Sequence, residues 1–515
     1  MDANGLTWVE AAGEARPVTR DEGQRHHRRS GTTLPGRLVQ KGNSPGRGRQ
    51  WESIMPAHRS RVTAHQRTSE AAIMIIVLAT FGPYLAAGIR TEQAAVCAVA
   101  GLALLAGARH LRKIPARAML VIAAMATYLA VAAFAAIGPS NQATGYGPVG
   151  FLAGLDNLLL PVIALTAGYL IAAGHPDRRR LLRVAALTLV AALAANAAVS
   201  YLMLMSPGEY DQLLSAWWVG DTGVSTAERA TTMGRYSGIF NQPAEAGVAY
   251  SLGLIAAVYA LRRQPMMLAA AGVVLTIGGL LTASKIFLLI GLPVALWQTW
   301  TGSSWRTRAG AALAVCGVLA VFDHQARQPD TPIGGVLLGA WLDPGSRSGS
   351  LIDLYTASRF GDNSTLSRPV DIVLTHSPWF GFGLDGLRVA YDSAWVEALV
   401  MAGIVGVAAQ AAIVAALGWC WLGVRRWTDP AVARFGAGVL VVVAAGSLGL
   451  PTTTANRISS VVWLLVALSL VSPPSRRWAE KAPDPLPDGR IGVPPVRQLP
   501  PASTTSTLSR YQQGQ

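Results

Sequence analysis

Charged residues are scarce in this chain: they make up 14% of its 515 residues, whereas soluble domains carry about 25%. Cysteine is scarcer still, with three in the whole chain. Cys97, Cys316 and Cys420 each lie within or at the end of an apolar run, and none has a partner at metal-binding or redox spacing. We interpret them as small packing residues. These deficits exclude an ordinary soluble composition and a cysteine-based metal or redox centre.

Hydrophobic residues make up 51% of the chain and are gathered into long runs. Runs of about 20 apolar residues are typical of transmembrane helices. We therefore predict an all-α fold, a polytopic transmembrane helix bundle of roughly twelve spans, several of them short. The predicted spans lie near residues 71–89, 94–108, 118–138, 151–173, 184–205, 244–261, 265–282, 286–300, 309–322, 395–424, 435–450 and 456–471.

The net charge of +15 is compatible with nucleic-acid binding, but the positions of the basic residues argue against it. Lys and Arg favour the cytoplasmic side of membrane helices. With the basic N-terminus inside, fifteen lie on the short inner loops and five on the short outer loops. The outer five are Arg90, Arg229, Arg235, Lys285 and Arg457. We predict a multi-pass protein of the cytoplasmic (inner) membrane with both termini in the cytoplasm. Its expected partners include membrane lipids but not nucleic acid.

Two polar tails flank the predicted membrane domain, residues 70–471. Residues 1–69 are basic and rich in Gly and Pro, and residues 472–515 are rich in Pro, Ser and Thr. Neither can bury a core, so both are predicted to be disordered cytoplasmic tails. No apolar segment precedes residue 71, so we expect no cleavable signal peptide.

Two long outer loops, about 206–243 and 323–394, are predicted to be helical in part and functional. The first contains a short amphipathic segment, Tyr210–Trp218, suited to the membrane interface. The second is predicted to contain helices around Leu351–Arg359 and Pro369–Thr375.

Arginines in these loops are candidate anion ligands. Arg235 lies in the first loop, and Arg359 and Arg368 lie in the second. A guanidinium grips phosphate with two parallel hydrogen bonds, although any one of these arginines could instead be solvated or reach lipid headgroups. Lys285, between two apolar runs, is either a further cation for the same phosphate-bearing ligand or part of a plain turn. No acidic cluster with metal-ligand spacing occurs in these loops, so no metal is expected.

The second loop also contains candidate bases beside a glycine turn. His376 is either a histidine at a helix end or a general base, and Asp392 is a helix N-cap, a base or both. Gly381 and Gly383 match a dinucleotide motif literally. The strand–turn–helix context is missing, so we predict a tight turn close to substrate. Asp156, with Asn157 beside it in an apolar run, is a functional candidate or an interfacial residue.

Three segments form a pattern along the chain. They are Arg235-x-x-Gly-Ile-Phe-Asn-Gln-Pro243, Leu281-Thr-Ala-Ser-Lys285, and His376-Ser-Pro-Trp-Phe-Gly-Phe-Gly383 followed by Asp392-Ser-Ala-Trp and Gly403-Ile-Val-Gly406. Together they resemble the superfamily of O-antigen ligases and O-antigen polymerases, which are membrane glycosyltransferases of bacterial envelopes. The resemblance covers about residues 150–470. In this chain Lys285 replaces the family's arginine, and Asp392-Ser393 stands where many ligases carry a histidine, which favours a polymerase or an exopolysaccharide-type transferase.

The resemblance implies metal-independent transfer of a glycan from a polyprenyl-diphosphate-linked donor to an acceptor hydroxyl outside the cytoplasmic membrane, in cell-surface polysaccharide biosynthesis. The partners would be that donor and a glycan or lipid acceptor, with no nucleotide or other cofactor. The cationic side chains named above would hold the diphosphate, and His376 or Asp392 would deprotonate the acceptor. The alternative is a secondary transporter or a lipid-linked glycan flippase. A structural or assembly membrane protein is a third possibility, and it would need none of the arginines.

Overall fold

The computed structural model describes residues 54–85, 89–108, 111, 114–137, 150–206, 208–218, 226–302, 305–326, 366–386, 391–454 and 457–471. The chain divides into two compact units, residues 1–59 and 60–515. In the first unit, the described residues 54–59 are helical. The second unit contains every other feature described below. The predicted tails lie outside the described residues, apart from residues 54–69, which are helical.

Helices make up the architecture, and the described part of the chain contains no β-strand. The helices are α1 (Ile54–Ala79), α2 (Thr91–Gly107), α3 (Ala116–Ala135), α4 (Phe151–Gly174), α5 (Arg178–Met205), α6 (Asp211–Leu214), α7 (Thr226–Met233), α8 (Pro243–Leu261), α9 (Pro265–Leu281), α10 (Leu292–Gly302), α11 (Trp305–Ala326), α12 (Ser367–His376), α13 (Ala394–Trp427), α14 (Pro430–Gly446) and α15 (Ser459–Val466). A π-helical turn, Phe287–Gly291, leads into α10, and another, Ala467–Val471, follows α15.

Several helices begin at residues suited to that position. Pro243, Pro265 and Pro430 occupy the first turn of α8, α9 and α14, where the missing N–H of proline has no intrahelical partner to lose. Asp177 accepts a hydrogen bond from the N–H of Arg180 at the start of α5, 3.2 Å long. These signals divide the apolar sequence into separate helices.

Five helices, α3, α4, α5, α8 and α13, are long and apolar enough to cross a membrane. Shorter apolar helices accompany them, including α2, α9 and α14. Each predicted span overlaps a helix of the structure. The all-α fold is therefore confirmed, and its apolar helices fit a membrane protein. The total number of spans stays a prediction.

The core is centred on α8 and α15. Every residue of α15 is buried, and the indole N–H of its Trp463 donates to the carbonyl of Thr453 at 2.9 Å. In α8 small residues alternate with large ones. A Cβ at Gly253 would contact Leu193, and one at Gly247 would overlap Ser284. Close approach of small residues is the usual way in which helices pack inside a membrane.

The two ends of the helix bundle can be distinguished by their polar contacts and by the helices that begin there. At one end, which we name the basic end, Arg180 pairs with Glu70 at 2.6 Å and Arg179 pairs with Asp429 at 3.2 Å. At the other, the loop end, α1 ends and α2, α4, α8, α13 and α15 begin. The predicted inner and outer loops thus lie at opposite ends. Which end faces the cytoplasm stays a prediction.

Helix α13 is broken near its first third. Ala402 and Gly403 have non-helical backbone angles, and Gly403 has a φ of 63°. The preceding loop supplies the missing partners, because the N–H of Ile404 donates to the carbonyl of Pro378 at 2.8 Å and the N–H of Phe382 donates to that of Val400 at 2.7 Å. The break is therefore tolerated in an apolar setting.

Candidate functional site

Arg235 and Lys285 are on neighbouring segments at the loop end. The backbone N–H of Tyr236 donates a 2.8 Å hydrogen bond to the carbonyl of Leu281. Both cationic side chains are half-buried. Two residues before Lys285, Ala283 turns the chain with a left-handed φ of 48°. The structure thus brings together the first two segments that carry the predicted diphosphate ligands.

Asn196, inside α5, fixes the segment that follows Arg235. Its Oδ1 accepts from the N–H of Ile239 at 2.9 Å, and its Nδ2 donates to the hydroxyl of Tyr250 at 3.0 Å. Gly238 has a φ of 65° and leaves no room for a Cβ against Asn196. This role of Asn196 was not predicted, although an asparagine within an apolar run is a recognisable signal.

A buried network of charges lies beside this segment, and Arg90 is one of its two cations. Its Nε is 2.9 Å from Oε1 of Glu92, and its Nη2 is 3.1 Å from Oδ2 of Asp156. Gln93 donates to the same Asp156 oxygen at 2.6 Å. Asp156 is therefore an ion-pair partner in the second turn of α4, at the end of the bundle and not at its midplane.

Arg457, which is 2% exposed, is the second cation of this network. Its guanidinium donates to the carbonyls of Gly82 at 2.6 Å and Trp217 at 2.7 Å. It also lies over the ring of Tyr84, 4.7 Å from the centroid. The buried carboxylate of Glu245 accepts from the N–H of Ile458 at 3.3 Å. Arg457 was predicted only as a loop residue, and Glu92 and Glu245 were not predicted at all.

The candidate residues of the second loop lie on and after α12. This helix confirms the predicted segment around Pro369–Thr375. Arg368 and His376 are both exposed, whereas Val373 is buried. Arg359, the predicted helix around it and most of the second loop lie outside the described residues.

Gly381 and Gly383 form a buried turn against two helices. Their φ angles are 66° and 73°. A Cβ at Gly381 would lie 2.7 Å from the nitrogen of Gly403, and one at Gly383 would overlap the backbone of Ala136. The turn is tight because Gly381 packs against the break of α13 and Gly383 packs against the end of α3. Contact of these glycines with substrate stays a prediction.

Asp392 is half-buried immediately before α13. Its interpretation as the helix N-cap is wrong, because the cap is Ser393, whose Oγ accepts from the N–H of Trp395 at 3.3 Å. The short Ser393 side chain places its hydroxyl next to the first N–H groups of the helix. The carboxylate of Asp392 therefore makes its contacts elsewhere. The general-base role stays a prediction.

The first turns of α4 connect the two parts of the loop end. Asp156 pairs with Arg90, as described above. A Cβ at Gly154 would overlap the carbonyl of Leu384 in the glycine turn. Asn157 donates to buried Glu397 in α13 at 2.8 Å. Helix α4 therefore positions both the buried charge network and the start of α13.

The predicted amphipathic segment Tyr210–Trp218 contains the short helix α6 and a turn. Its tryptophans are half-buried and bound to backbone, since Trp217 donates to the carbonyl of Phe81 at 2.9 Å and Trp218 donates to that of Gly238 at 3.1 Å. The segment thus packs over the Arg235 loop. Its place at a membrane interface stays a prediction.

In the part of the chain that the structure describes, no group of three or more His, Cys, Asp or Glu side chains could hold a metal ion. No protein-family model matches the chain, and no curated protein matches it. The loop end carries the half-buried cations Arg235 and Lys285, and the candidate bases His376 and Asp392 lie at the end of α12 and just before α13. Such an arrangement suits anion binding combined with proton transfer.

Proposed function

We propose that this protein transfers a glycan from a polyprenyl-diphosphate-linked donor to an acceptor hydroxyl at the outer face of the cytoplasmic membrane, in the manner of an O-antigen polymerase or ligase. The observation that carries the proposal is the hydrogen bond between Tyr236 and Leu281, which joins the two cation-bearing segments of the family-like pattern at the loop end. The third segment, with His376 and Asp392, enters α13 at the same end.

In the proposed reaction, the acceptor oxygen attacks the anomeric carbon of the donor glycan. The bond between that carbon and the diphosphate oxygen breaks, and polyprenyl diphosphate leaves. Arg235 and Lys285, with Arg368 or Arg359, stabilise the charge on the departing diphosphate. His376 or Asp392 takes the acceptor proton. Both termini would be in the cytoplasm, and no nucleotide, metal or nucleic acid takes part.

The experiment is transfer in vitro by the purified full-length protein in nanodiscs. The donor is a defined polyprenyl-diphosphate oligosaccharide with a labelled glycan, and the acceptor is either a second donor molecule or a free glycan. We expect labelled products of higher mass together with released polyprenyl diphosphate. Arg263→Ala, a change of an exposed arginine at the basic end, should leave the rate unchanged. Intact donor at the end of the incubation, with folded protein, would contradict the proposal.

One observation favours a second candidate, a lipid-linked glycan flippase or secondary transporter. The break at Gly403 in α13 lies close to buried Glu397, and transporters place broken helices and polar groups at their binding sites. A flippase would move a labelled lipid-linked glycan across a vesicle membrane without changing its mass. Mass spectrometry of the same incubations therefore distinguishes the two functions.

A further inference from the structure

An apolar cavity of about 300 Å³ lies between α8, α9, α10 and α11. Apart from two threonines, its lining is aliphatic. The hydroxyl of one of these, Thr299, donates to the carbonyl of Ala295 in its own helix at 2.9 Å. The volume is at the lower limit of ligand pockets, which measure about 300–1,000 Å³. A cavity with this lining suits a hydrocarbon chain.

The cavity lies in the half of the bundle next to the basic end. Helix α8 contributes residues of its second half, from Leu254 to Val258, and α9 contributes residues from Pro265 to Thr276. Helix α10 contributes residues from Leu292 to Thr299. The loop end and the candidate site described above are therefore separate from this cavity.

A cleft lined by cations adjoins the cavity. It is formed by Val258, Tyr259, Arg262, Gln298, Gly302, Ala431 and Arg434, so Val258 lines both spaces. Arg434 is held in place by a hydrogen bond from its Nη1 to the carbonyl of Thr301, 3.1 Å long. Among these described lining residues, neither space includes an Asp or Glu. The cleft therefore favours an anion.

Tryptophans mark this level of the bundle as a membrane interface. Trp300 is 60% exposed and Trp305 is 72% exposed. The guanidinium of Arg308 lies 5.6 Å from the centre of the Trp300 ring. Tryptophan and arginine at helix ends are typical of the headgroup region of a bilayer. A lipid held here would have its headgroup beside the cleft and its chain in the cavity.

We propose that the chain binds an anionic glycerophospholipid at the basic end, with one hydrocarbon chain in the apolar cavity and its phosphate at Arg262 and Arg434. Two guanidiniums at one cleft favour an anionic headgroup over a zwitterionic one. The proposal does not depend on the glycan transfer proposed above, because it uses neither the loop end nor its residues.

The test compares lipid retention by the purified full-length protein in nanodiscs of equal parts phosphatidylglycerol and phosphatidylcholine, read by native mass spectrometry. We expect phosphatidylglycerol to be retained preferentially. Arg262→Gln and Arg434→Gln should each reduce that preference by about fivefold. The exposed pair Arg425 and Arg426 belongs to the same end but lines neither space, so Arg425→Gln and Arg426→Gln should leave the preference unchanged.

Glycines supply a second, steric test. A Cβ at Gly272 or Gly310 meets no other atom within 4 Å, and both residues line the cavity. Gly272→Leu and Gly310→Leu should fill the cavity and reduce lipid retention severalfold. Gly418 has equal space outside the cavity, so Gly418→Leu should retain lipid like the unchanged protein. Unchanged retention in both cavity variants, or equal retention of the two phospholipids by the unchanged protein, would overturn the proposal.

Discussion

Asn157 in α4 donates a 2.8 Å hydrogen bond to Oε1 of Glu397 in α13, and both side chains are buried. The residues are 240 positions apart in the chain. The bond reaches α13 just before its break. On the α4 side, the neighbouring residue Asp156 pairs with Arg90. It therefore connects the two parts of the loop end.

Removal of this donor should destabilise the protein. Asn157→Leu leaves the buried Glu397 carboxyl without one of its partners, and a buried polar group that loses its hydrogen bond costs about 1–3 kcal/mol. Glu397→Gln keeps an acceptor oxygen for Asn157 and should be milder. Thermal unfolding in one detergent measures both. Equal midpoints for Asn157→Leu and the unchanged protein would show that the bond contributes nothing to stability.

The break in α13 leads to the second prediction. Gly403 has a φ of 63°, and a Cβ there would overlap the backbone of Trp379. Gly403→Ala should therefore cost more than the roughly 1–3 kcal/mol of backbone strain alone and should lower the yield of folded protein. Gly418→Ala, later in the same helix and with open space around its Cβ, serves as the matched control. A folded Gly403→Ala variant of unchanged stability would remove the close approach as the reason for the glycine.

These glycines show what sequence patterns can predict and where they stop. Apolar runs predicted the helices, because burial and lipid contact act on each segment separately. The break at Gly403 was not predicted, because its backbone partners, the carbonyl of Pro378 and the N–H of Phe382, come from the folded loop that precedes α13. The third segment of the family-like pattern contains Gly381, Gly383 and Gly403, but nothing in it showed that they pack against one another.

The candidate site was predictable to a similar extent. The pattern placed Arg235 and Lys285 in different segments, and only the fold brings those segments together through Tyr236 and Leu281. The partners of Arg457 and Arg90 were out of reach of sequence reasoning. Arg457 contacts a carbonyl 375 positions away, and Arg90 a carboxylate 66 positions away. No local spacing encodes such pairs.

His175, at the C-terminal end of α4, should make stability depend on pH. Burial lowers the pKa of this histidine. Its Nδ1 accepts from the N–H of Asp177 at 3.1 Å, and its Nε2 is 3.8 Å from Oε1 of Glu70. The unfolded chain, with a histidine pKa of about 6.5, therefore takes up a proton before the folded protein does.

The sign follows from that order of protonation. The contribution of His175 to stability is fully present above about pH 6.5 and decreases as the pH falls towards the lowered pKa of the folded state. His175→Gln should reduce the loss of thermal stability between about pH 7 and about pH 5. Exposed His324 gives the control, His324→Gln. A parallel pH profile for His175→Gln and the unchanged protein would contradict the assignment.

Arg235→Ala and Arg368→Ala should each abolish glycan transfer while membrane insertion and folding persist. Loss of one group that stabilises a developing anion typically costs about 2.7–4 kcal/mol of barrier, a rate loss of about 10²–10³. Lysine should rescue poorly, because a point charge cannot replace a planar fork. Initial rates in the nanodisc assay measure the effect, with Arg263→Ala as the control. Normal transfer by both alanine variants would remove these arginines from the site.

The last prediction concerns the proton and the metal. If one side chain acts as general base, then His376→Ala or Asp392→Ala should lower turnover far more than donor binding, because a base acts in the transition state and not in the ground state. His376 ends α12 and Asp392 precedes α13. Only one of them acts as the base in the proposed reaction, so one variant should be severely impaired and the other need not be. Rates at saturating donor, together with donor affinity measured separately, resolve the two effects.

Because the proposed reaction uses guanidinium groups for the diphosphate, transfer should persist in EDTA. Full inhibition by the chelator, reversed by a divalent cation, would mean that scattered acids of the outer loops form a metal site and that the proton-transfer scheme must be rebuilt around it.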